Sequence, residues 1–403
     1  MSAPPVSTQL APLGAYIHFP FCVRKCRYCD FNSGAAPYKE REQYLAALET
    51  EIATKAARLS ASDAATPHAI QRPITTVYFG GGTPTVYEAR EIVGVLQRLR
   101  DSFEIAPDAE ITCEANPGTI SGRSLTALRE AGINRLSLGV QSFRDEELEF
   151  LGRIHSAAGA EKALQEAREA GFANISLDLI RALPGQTPGE WASSLEQAAS
   201  LAPEHLSTYG LMIEPDTPLA REVEAGTLEP CDEDTQVAMF GQTREFLLRA
   251  GYEHYEISNY ARRTDEPASP YRCRHNENYW RNGEYLGFGA GAWSYVAGLR
   301  SRNVNAFPKY MAAVTAGFDA TVERDQPDAE TALGETIMLN LRTADGVRYG
   351  DLAARRAVDA EARFARQIAE LVATGLMLAD SEGFRLTPKG YLLQSEIAQR
   401  FLR

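Results

Sequence analysis

Six β-type runs, Ala15–Phe19, Thr75–Phe79, Glu110–Glu114, Arg135–Gln141, Asn174–Ile180 and His205–Ile213, punctuate the first half of this chain at intervals filled by helical patterns. From Arg41 to Leu59, the apolar residues Leu45, Leu48, Ile52, Ala56 and Leu59 recur at helical spacing, and Ile92, Val93, Leu96 and Leu99 do so in the next interval. Gly132 and Gly171 each follow a helical stretch ending in Glu-Ala, where a left-handed residue commonly closes a helix. Strands alternating with helices imply a parallel sheet with helices outside, because each parallel crossover needs a long connection. Six units fall short of the eight that close a standard barrel. The pattern predicts an α/β fold, an open partial (β/α)6 barrel over residues 13–225, with a doubly wound sheet as the alternative.

Beyond Ile213 the alternation weakens. A bridging segment, 226–325, contains a loop from Arg262 to Arg274 with Pro267 and Pro270, then the dense run Cys273-Arg-His275-Asn276-Glu-Asn-Tyr279-Trp280. The glycine-rich, strand-like stretch Tyr285–Tyr295 follows, and its alternating glycines suggest close backbone approach to something. Residues 326–403 read as a smaller, mainly helical, winged-helix-like domain with a turn-strand element at Gly383-Phe-Arg-Leu-Thr-Pro388. Residues 1–12, with Pro4, Pro5 and Pro12, read as a flexible tail and not as a signal peptide. No apolar run approaches the ~18 residues that span a bilayer. The expectation is a cytoplasmic protein whose thiols stay reduced, with peripheral membrane contact left open. The charge balance, 41 basic against 54 acidic side chains, disfavours a nucleic-acid partner.

Three cysteines crowd the loop after the first strand: Tyr16-Ile-His-Phe-Pro-Phe-Cys22-Val-Arg-Lys-Cys26-Arg-Tyr-Cys29-Asp-Phe31. In α/β folds that end of a strand is where ligands sit. Iron-sulfur clusters normally take four thiolates, so a C-x3-C-x2-C loop can hold three irons of a [4Fe-4S] cluster and leave one open. Structural zinc is the alternative, with His18, four residues before Cys22, completing a tetrahedral site. Cys113, Cys231 and Cys273 are scattered, so a disulfide framework is the poorer reading. Two other features stand out. Asp178 interrupts an apolar strand, where a buried carboxylate needs a partner. His275 and Tyr279 are four apart and share a face if helical; imidazole is a common axial ligand of heme iron, and a packed His–Tyr pair is the plainer alternative.

The cysteine loop with Tyr28 between its second and third thiols resembles the radical S-adenosylmethionine superfamily, and the flanking Tyr16-Ile-His-Phe-Pro-Phe and Asp30-Phe31-Asn32 resemble its coproporphyrinogen-oxidase-like branch. Further matches follow in order along nearly the whole chain: Gly80-Gly81-Gly82-Thr83-Pro84-Thr85, Glu114-Ala-Asn116-Pro117, Gly139-Val-Gln141-Ser142, Leu151-Gly-Arg153-Ile-His155, Asp178-Leu-Ile, Leu183-Pro-Gly-Gln186 and Leu386-Thr-Pro-Lys-Gly390. The resemblance implies S-adenosylmethionine on the open iron, split by an electron from the reduced cluster to a 5′-deoxyadenosyl radical, with the protein positioning and shielding it. It implies Cys22, Cys26 and Cys29 as cluster ligands, Tyr16 and Tyr28 beside the cofactor, and Gly81, Gly82 and Thr83 near its methionine amino group. Glu114 would take the ribose hydroxyls. Gln141, Arg153 and Asp178 match positions that contact a second S-adenosylmethionine in the decarboxylase relatives.

Departures from that branch's pattern carry information as well. The decarboxylases have a further cysteine where this chain has Phe31, and a longer extension than the 15 residues before Tyr16. The branch's heme-chaperone members instead carry His-Asn-x-x-Tyr, which His275 to Tyr279 fits, implying heme held by His275 and Tyr279. Trp293 stands where relatives often have His, and Arg181-Ala182 where Tyr-Gly is usual. The expected function is a heme chaperone that binds a [4Fe-4S] cluster, S-adenosylmethionine and heme, draws on an electron donor, and passes heme to recipient hemoproteins. An oxygen-independent coproporphyrinogen III oxidase and a zinc-structured binding protein are the alternatives, and a homodimer stays open.

Overall fold

The computed structural model describes residues 12–60 and 72–402. Most of the expected tail, residues 1–11, lies outside that range. Six parallel strands run in sequence order, β1 (Leu13–Phe19), β2 (Ile74–Gly81), β3 (Ile105–Ala115), β4 (Arg135–Gln141), β5 (Ile175–Arg181) and β6 (His205–Gly210). The last stops three residues before the expected Ile213: Gly210 and Leu211 turn away, with the Leu211 amide held by the Arg181 carbonyl at 2.9 Å. Helices Tyr38–Ser60, Ala89–Ser102, Gly122–Glu130, Ala157–Glu169 and Pro188–Ser200 supply the crossovers. Gly132 and Gly171 close two of them at φ +97° and +89°.

β1 and β6 do not pair, so the six strands form the open partial barrel that the alternation predicts. Both edges are extended by the bridging segment, which the sequence pattern leaves obscure. β7 (Tyr252–Glu256) and β8 (Asn259–Arg262) form an antiparallel pair on the β6 edge. On the other edge β9 (Glu284–Phe288) lies parallel to β1, followed by β10 (Trp293–Val296), β11 (Leu299–Asn303) and β12 (Thr321–Asp325) in antiparallel order, which makes twelve strands in one sheet. The glycine-rich stretch is therefore two strands and a tight turn, and the close approach is to its own chain. A Cβ on Gly287 would sit 1.9 Å from the Trp293 carbonyl oxygen, and one on Gly289 would sit 2.6 Å from the Tyr44 hydroxyl.

The strands alternate with period two. Ala15, Ile17, Phe19, Val77, Phe79, Leu136, Leu138, Val140, Leu177 and Leu179 point outward under the helices and are fully or almost fully buried in the main core. Each of these except Ala15 contributes about 1.5–3 kcal/mol by leaving water. A second core, including Leu333, Ile337, Leu352, Ile368, Phe384 and Phe401, is built by helices Ala329–Asn340, Tyr349–Arg356 and Ala360–Ala373 and a small sheet of β13 (Val347–Arg348), β14 (Met377–Ala379) and β15 (Gly383–Leu386). Among the described residues no helix is long and apolar enough to cross a membrane.

Glu51 couples the first crossover helix to the β9–β12 extension. Its buried carboxylate accepts from the Gly289 amide at 2.8 Å, Asn303 Nδ2 at 2.7 Å and the Tyr310 hydroxyl at 2.7 Å, and pairs with Lys55 at 3.0 Å. Glu51→Leu, which leaves the Gly289 amide and the Tyr310 hydroxyl without an acceptor and removes the counter-charge of Lys55, is expected to cost about 3–5 kcal/mol in urea unfolding, and Glu51→Gln about 1–2 kcal/mol. Ala182 explains the glycine usual at its position, since it is held at φ +62°. Ala182→Gly is expected to raise unfolding stability by about 1 kcal/mol, relief of left-handed strain outweighing the added backbone entropy.

Candidate functional site

The cysteine loop is pinned on three sides. At its base the Cys22 amide donates to the Gly34 carbonyl at 2.9 Å and the Gly34 amide returns to the Pro20 carbonyl at 3.0 Å. The Leu151–His155 motif clamps its far side, the Arg27 amide meeting the Leu151 carbonyl at 3.3 Å and Arg24 Nη2 reaching the Gly152 and Arg153 carbonyls at 2.8 and 3.0 Å. Gly81 and Gly82 form the third side. Gly81 has φ +115° and a Cβ there would lie 2.3 Å from His18, while a Cβ on Gly82 would meet the Pro20 backbone at 2.8 Å. The glycines are thus required by packing alone. The Gly81 amide goes to Glu114 at 3.1 Å, the Gly82 amide to the Phe19 carbonyl at 2.7 Å and the Thr83 amide to the Phe21 carbonyl at 3.0 Å. With these amides engaged, carbonyl oxygen is what this backbone offers to an ammonium group.

All three thiols are half-buried and line one cavity of about 550 Å³, within the range of small-molecule sites. Thr83 donates to Cys22 Sγ at 3.4 Å, Arg153 Nη1 to Cys26 Sγ at 3.4 Å, and the Ser33 hydroxyl lies 3.9 Å from Cys29 Sγ. Burial pushes the Cys22 and Cys29 thiols up, with the Thr83 hydroxyl opposing at Cys22. A partner that holds sulfur as thiolate must offset that burial, as iron does, and the donors around the thiols suit an anionic sulfur assembly. The zinc alternative loses its fourth ligand. His18 has Nδ1 on the Tyr16 hydroxyl at 3.0 Å and Nε2 on the Asn32 carbonyl at 2.9 Å. Among the described residues no three His, Cys, Asp or Glu side chains close about a single ion, as mononuclear zinc requires.

Below the loop, the inner face of the barrel is polar because the outer face already carries the apolar side chains. Glu114 accepts from the Tyr78 hydroxyl at 2.8 Å and from the Gly81 amide; burial, with a smaller push from Asp178, raises it to about 7. Asp178 finds hydroxyl partners and no cation, Ser137 Oγ at 2.9 Å and Ser176 Oγ at 3.1 Å, and burial raises it too. Gln141, held at φ +70° where β4 breaks register, lies over Gly139 beside Arg153, whose Nη2 donates to the Gly139 carbonyl at 2.7 Å. A left-handed non-glycine residue at a cavity wall is a common mark of a functional position.

The structure thus brings Cys22, Cys26, Cys29, Tyr28, Gly81, Gly82, Thr83, Glu114, Gln141, Arg153 and Asp178 to one cavity. It does not bring Tyr16, His275 or Tyr279 there. Tyr16 is turned to His18 and stacks on Tyr78 at 6.3 Å, a packing role. His275 is buried with Nδ1 on Thr76 at 2.8 Å and Nε2 on the Tyr279 hydroxyl at 2.9 Å, and burial lowers its pKa to about 3. The pair expected to bind heme is hydrogen-bonded to itself, with His275 in the core and Tyr279 half-buried. It also sits at the other end of the barrel: His275 lies against Gly14 at the start of β1, whereas the cysteines follow its end, roughly 16 Å along the strand. Of that motif, Asn276 is the residue that reaches the cavity. Sequence reasoning missed Tyr78, Arg135, Ser137, His205 and Ser207 on the cavity wall. Their signal was there in the alternation of polar residues with Leu and Val, as in Arg135-Leu-Ser137-Leu-Gly139-Val-Gln141.

Residues 16–198 match the family model described as the radical SAM superfamily, and residues 328–393 match that of the HemN C-terminal domain. Among curated proteins, the chain is 34% identical over 389 residues to the heme chaperone HemW of Bacillus subtilis, covering 96% of this chain and 98% of that protein. It is 40% identical over 295 residues to the heme chaperone HemW of Escherichia coli, covering 72% and 71%. Among solved structures, coproporphyrinogen III oxidase (HemN) from Escherichia coli, a radical SAM enzyme, superimposes with a TM-score of 0.82 at 27% identity, covering 97% of this chain and 90% of that one.

Because Glu114 holds its proton to about 7 in the native state but ionises near 4.5 once unfolded, wild-type stability falls as pH rises through that window and levels off above it. Glu114→Gln has no such proton to release. Chemical unfolding at pH 5 and pH 8 is expected to shift the difference in unfolding free energy in favour of the variant by about 2–3 kcal/mol; a pH-independent difference would refute the buried, proton-retaining carboxyl.

Proposed function

The chain belongs to the heme chaperone HemW family within the radical SAM superfamily, and from that premise we propose that it carries a [4Fe-4S] cluster on Cys22, Cys26 and Cys29, binds S-adenosylmethionine in the cavity beneath, and holds heme for delivery to hemoproteins. The observation that carries the cluster is the convergence of these three thiols on one cavity, each beside a polar side chain, while buried Cys113 and Cys273 and loop Cys231 do not line it. The bound cluster supplies an open iron for the methionyl amino and carboxylate groups and, when reduced by a donor, an electron for the sulfonium.

This chain's own residues have definite parts in that reading. Arg153 bridges Cys26 and the Gly139 carbonyl, so it supports a thiolate and fixes the β4 end of the cavity at once. Glu114 accepts ribose hydroxyls when ionised, and its two existing donors aim the carboxylate across the cavity. Tyr28 packs with Leu151, Ile180 and Leu183 and limits water at the loop. His275 reaches a heme iron only by giving up Thr76 or Tyr279, so heme ligation at that residue implies a local rearrangement of the helix Arg274–Trp280.

A second reading has its own support. Gln141, Arg153 and Asp178, the positions matched to a second S-adenosylmethionine in the decarboxylases, line the same cavity as Glu114, as a coproporphyrinogen oxidase would need. Phe31 in place of a further cysteine, exposed at the cavity mouth, favours the chaperone.

Anaerobically reconstituted protein is expected to hold about four irons and four sulfides per chain, to bind heme stoichiometrically, to transfer it to an apo-hemoprotein, and to leave coproporphyrinogen unchanged under reducing conditions with S-adenosylmethionine. Cys26→Ser is expected to lose most of the iron. Protoporphyrinogen formation would replace the chaperone reading by the oxidase one.

A further inference from the structure

Arg135 opens β4 and shares its cavity-facing side with Ser137, Gly139 and Gln141, so it lies at the end of the cavity farthest from the cysteine loop. It is 2% exposed. Its Nε has no hydrogen-bond partner, and among the described residues no carboxylate lies within ion-pairing distance of it. Glu110, Glu114 and Asp178 act on it only through space. Each of those carboxylates is already satisfied by neutral donors: Glu110 by the Arg274 and His275 amides, both at 3.0 Å, Glu114 by Tyr78 and Gly81, and Asp178 by Ser137 and Ser176.

A second guanidinium lines the same cavity. Arg342 has Glu256 at 3.7 Å and an unpartnered Nε, and it stacks over Trp280 at 4.3 Å. Asn276, the one residue of the His-Asn-x-x-Tyr-Trp run that reaches the cavity, lines it too. A buried guanidinium left without acceptors costs several kcal/mol unless an anion completes it, and its planar fork matches a carboxylate in bidentate geometry.

We propose that Arg135 is the anchor for a carboxylate of the molecule held in this cavity, whose wall also carries Arg342 and Asn276. Two molecules carry that chemistry clear of the cluster: heme in its propionates, and a second S-adenosylmethionine, whose methionyl carboxylate is not engaged by the open iron. The proposal deepens that function and, for heme as the source, rests on it.

The test uses full-length, cluster-reconstituted protein and three probes: heme, heme dimethyl ester, whose propionates are masked, and S-adenosylmethionine. Dissociation constants are measured for the wild type, Arg135→Gln and Arg135→Lys, with circular dichroism and thermal melting as folding controls. A propionate anchor predicts that the wild type prefers heme over its dimethyl ester by about ten- to a hundred-fold, and that Arg135→Gln abolishes this preference while Arg135→Lys keeps part of it. A methionyl anchor predicts loss of a second S-adenosylmethionine equivalent, the one on the cluster being retained, with the heme preference unchanged. If wild-type protein binds no heme, the chaperone reading fails while the S-adenosylmethionine arm still reads the anchor. If folded Arg135→Gln binds every probe as the wild type does, the proposal is overturned and Arg135 is an internal counter-charge to Glu110, Glu114 and Asp178. The comparison of heme with its ester on wild-type protein needs no variant and stands even where Arg135→Gln does not fold.

Discussion

Everything at the functional end of this protein depends on the two faces of its parallel strands being given opposite jobs. The outer face carries the apolar side chains that bind helices to sheet, so the inner face is released from stabilising the fold. That inner face can then hold Glu114, Asp178, Arg135 and a set of serines, each at an energetic cost that a filled barrel would not bear. The cost is visible in the raised Glu114 and Asp178 carboxyls and in Arg135 without an acceptor. Buried polar groups kept at such expense mark a cavity built for a polar guest.

The cysteine loop depends on the barrel in a different way. It has no secondary structure to fix it, yet Gly34, the Leu151–Arg153 carbonyls and the Gly80–Gly82 turn hold it from three directions. Residues separated by more than a hundred positions thus meet around three thiols. This explains why the motifs around the site form one series: Leu151 to His155 is a clamp on the loop, and His155 itself is fixed by Asn116 at 3.1 Å and the Val140 carbonyl at 3.0 Å.

The cavity has two chemically distinct ends. At the mouth, soft sulfur sits with exposed Val23, Phe31 and Met212; the inner end holds the Arg135 guanidinium, and Arg342 and Asn276 add polar groups to the wall. An amphiphilic guest with an apolar body and charged appendages fits such a gradient better than a uniformly polar one. His275 and Tyr279 lie behind the inner end and brace it, the imidazole stacking on Tyr78 at 5.1 Å.

Much of this was legible from the order of residues. Period-two and helical spacing mark the six strand-helix units to within a few residues, and C-x3-C-x2-C after a strand marks the loop, because both depend on interactions between near neighbours in the chain. Asp178 announced itself as a carboxylate in need of partners, but its partner Ser137 on the neighbouring strand did not, since register between strands is set by the assembled sheet. His275 and Tyr279 show the limit most clearly. Their spacing establishes that they share a helix face and meet each other; only the packing of that helix against Thr76, Glu110 and the start of β1 decides that the face points into the core. Local spacing determines which side chains can be neighbours on one element, whereas burial of the element's apolar face against distant strands determines which of them meet a guest.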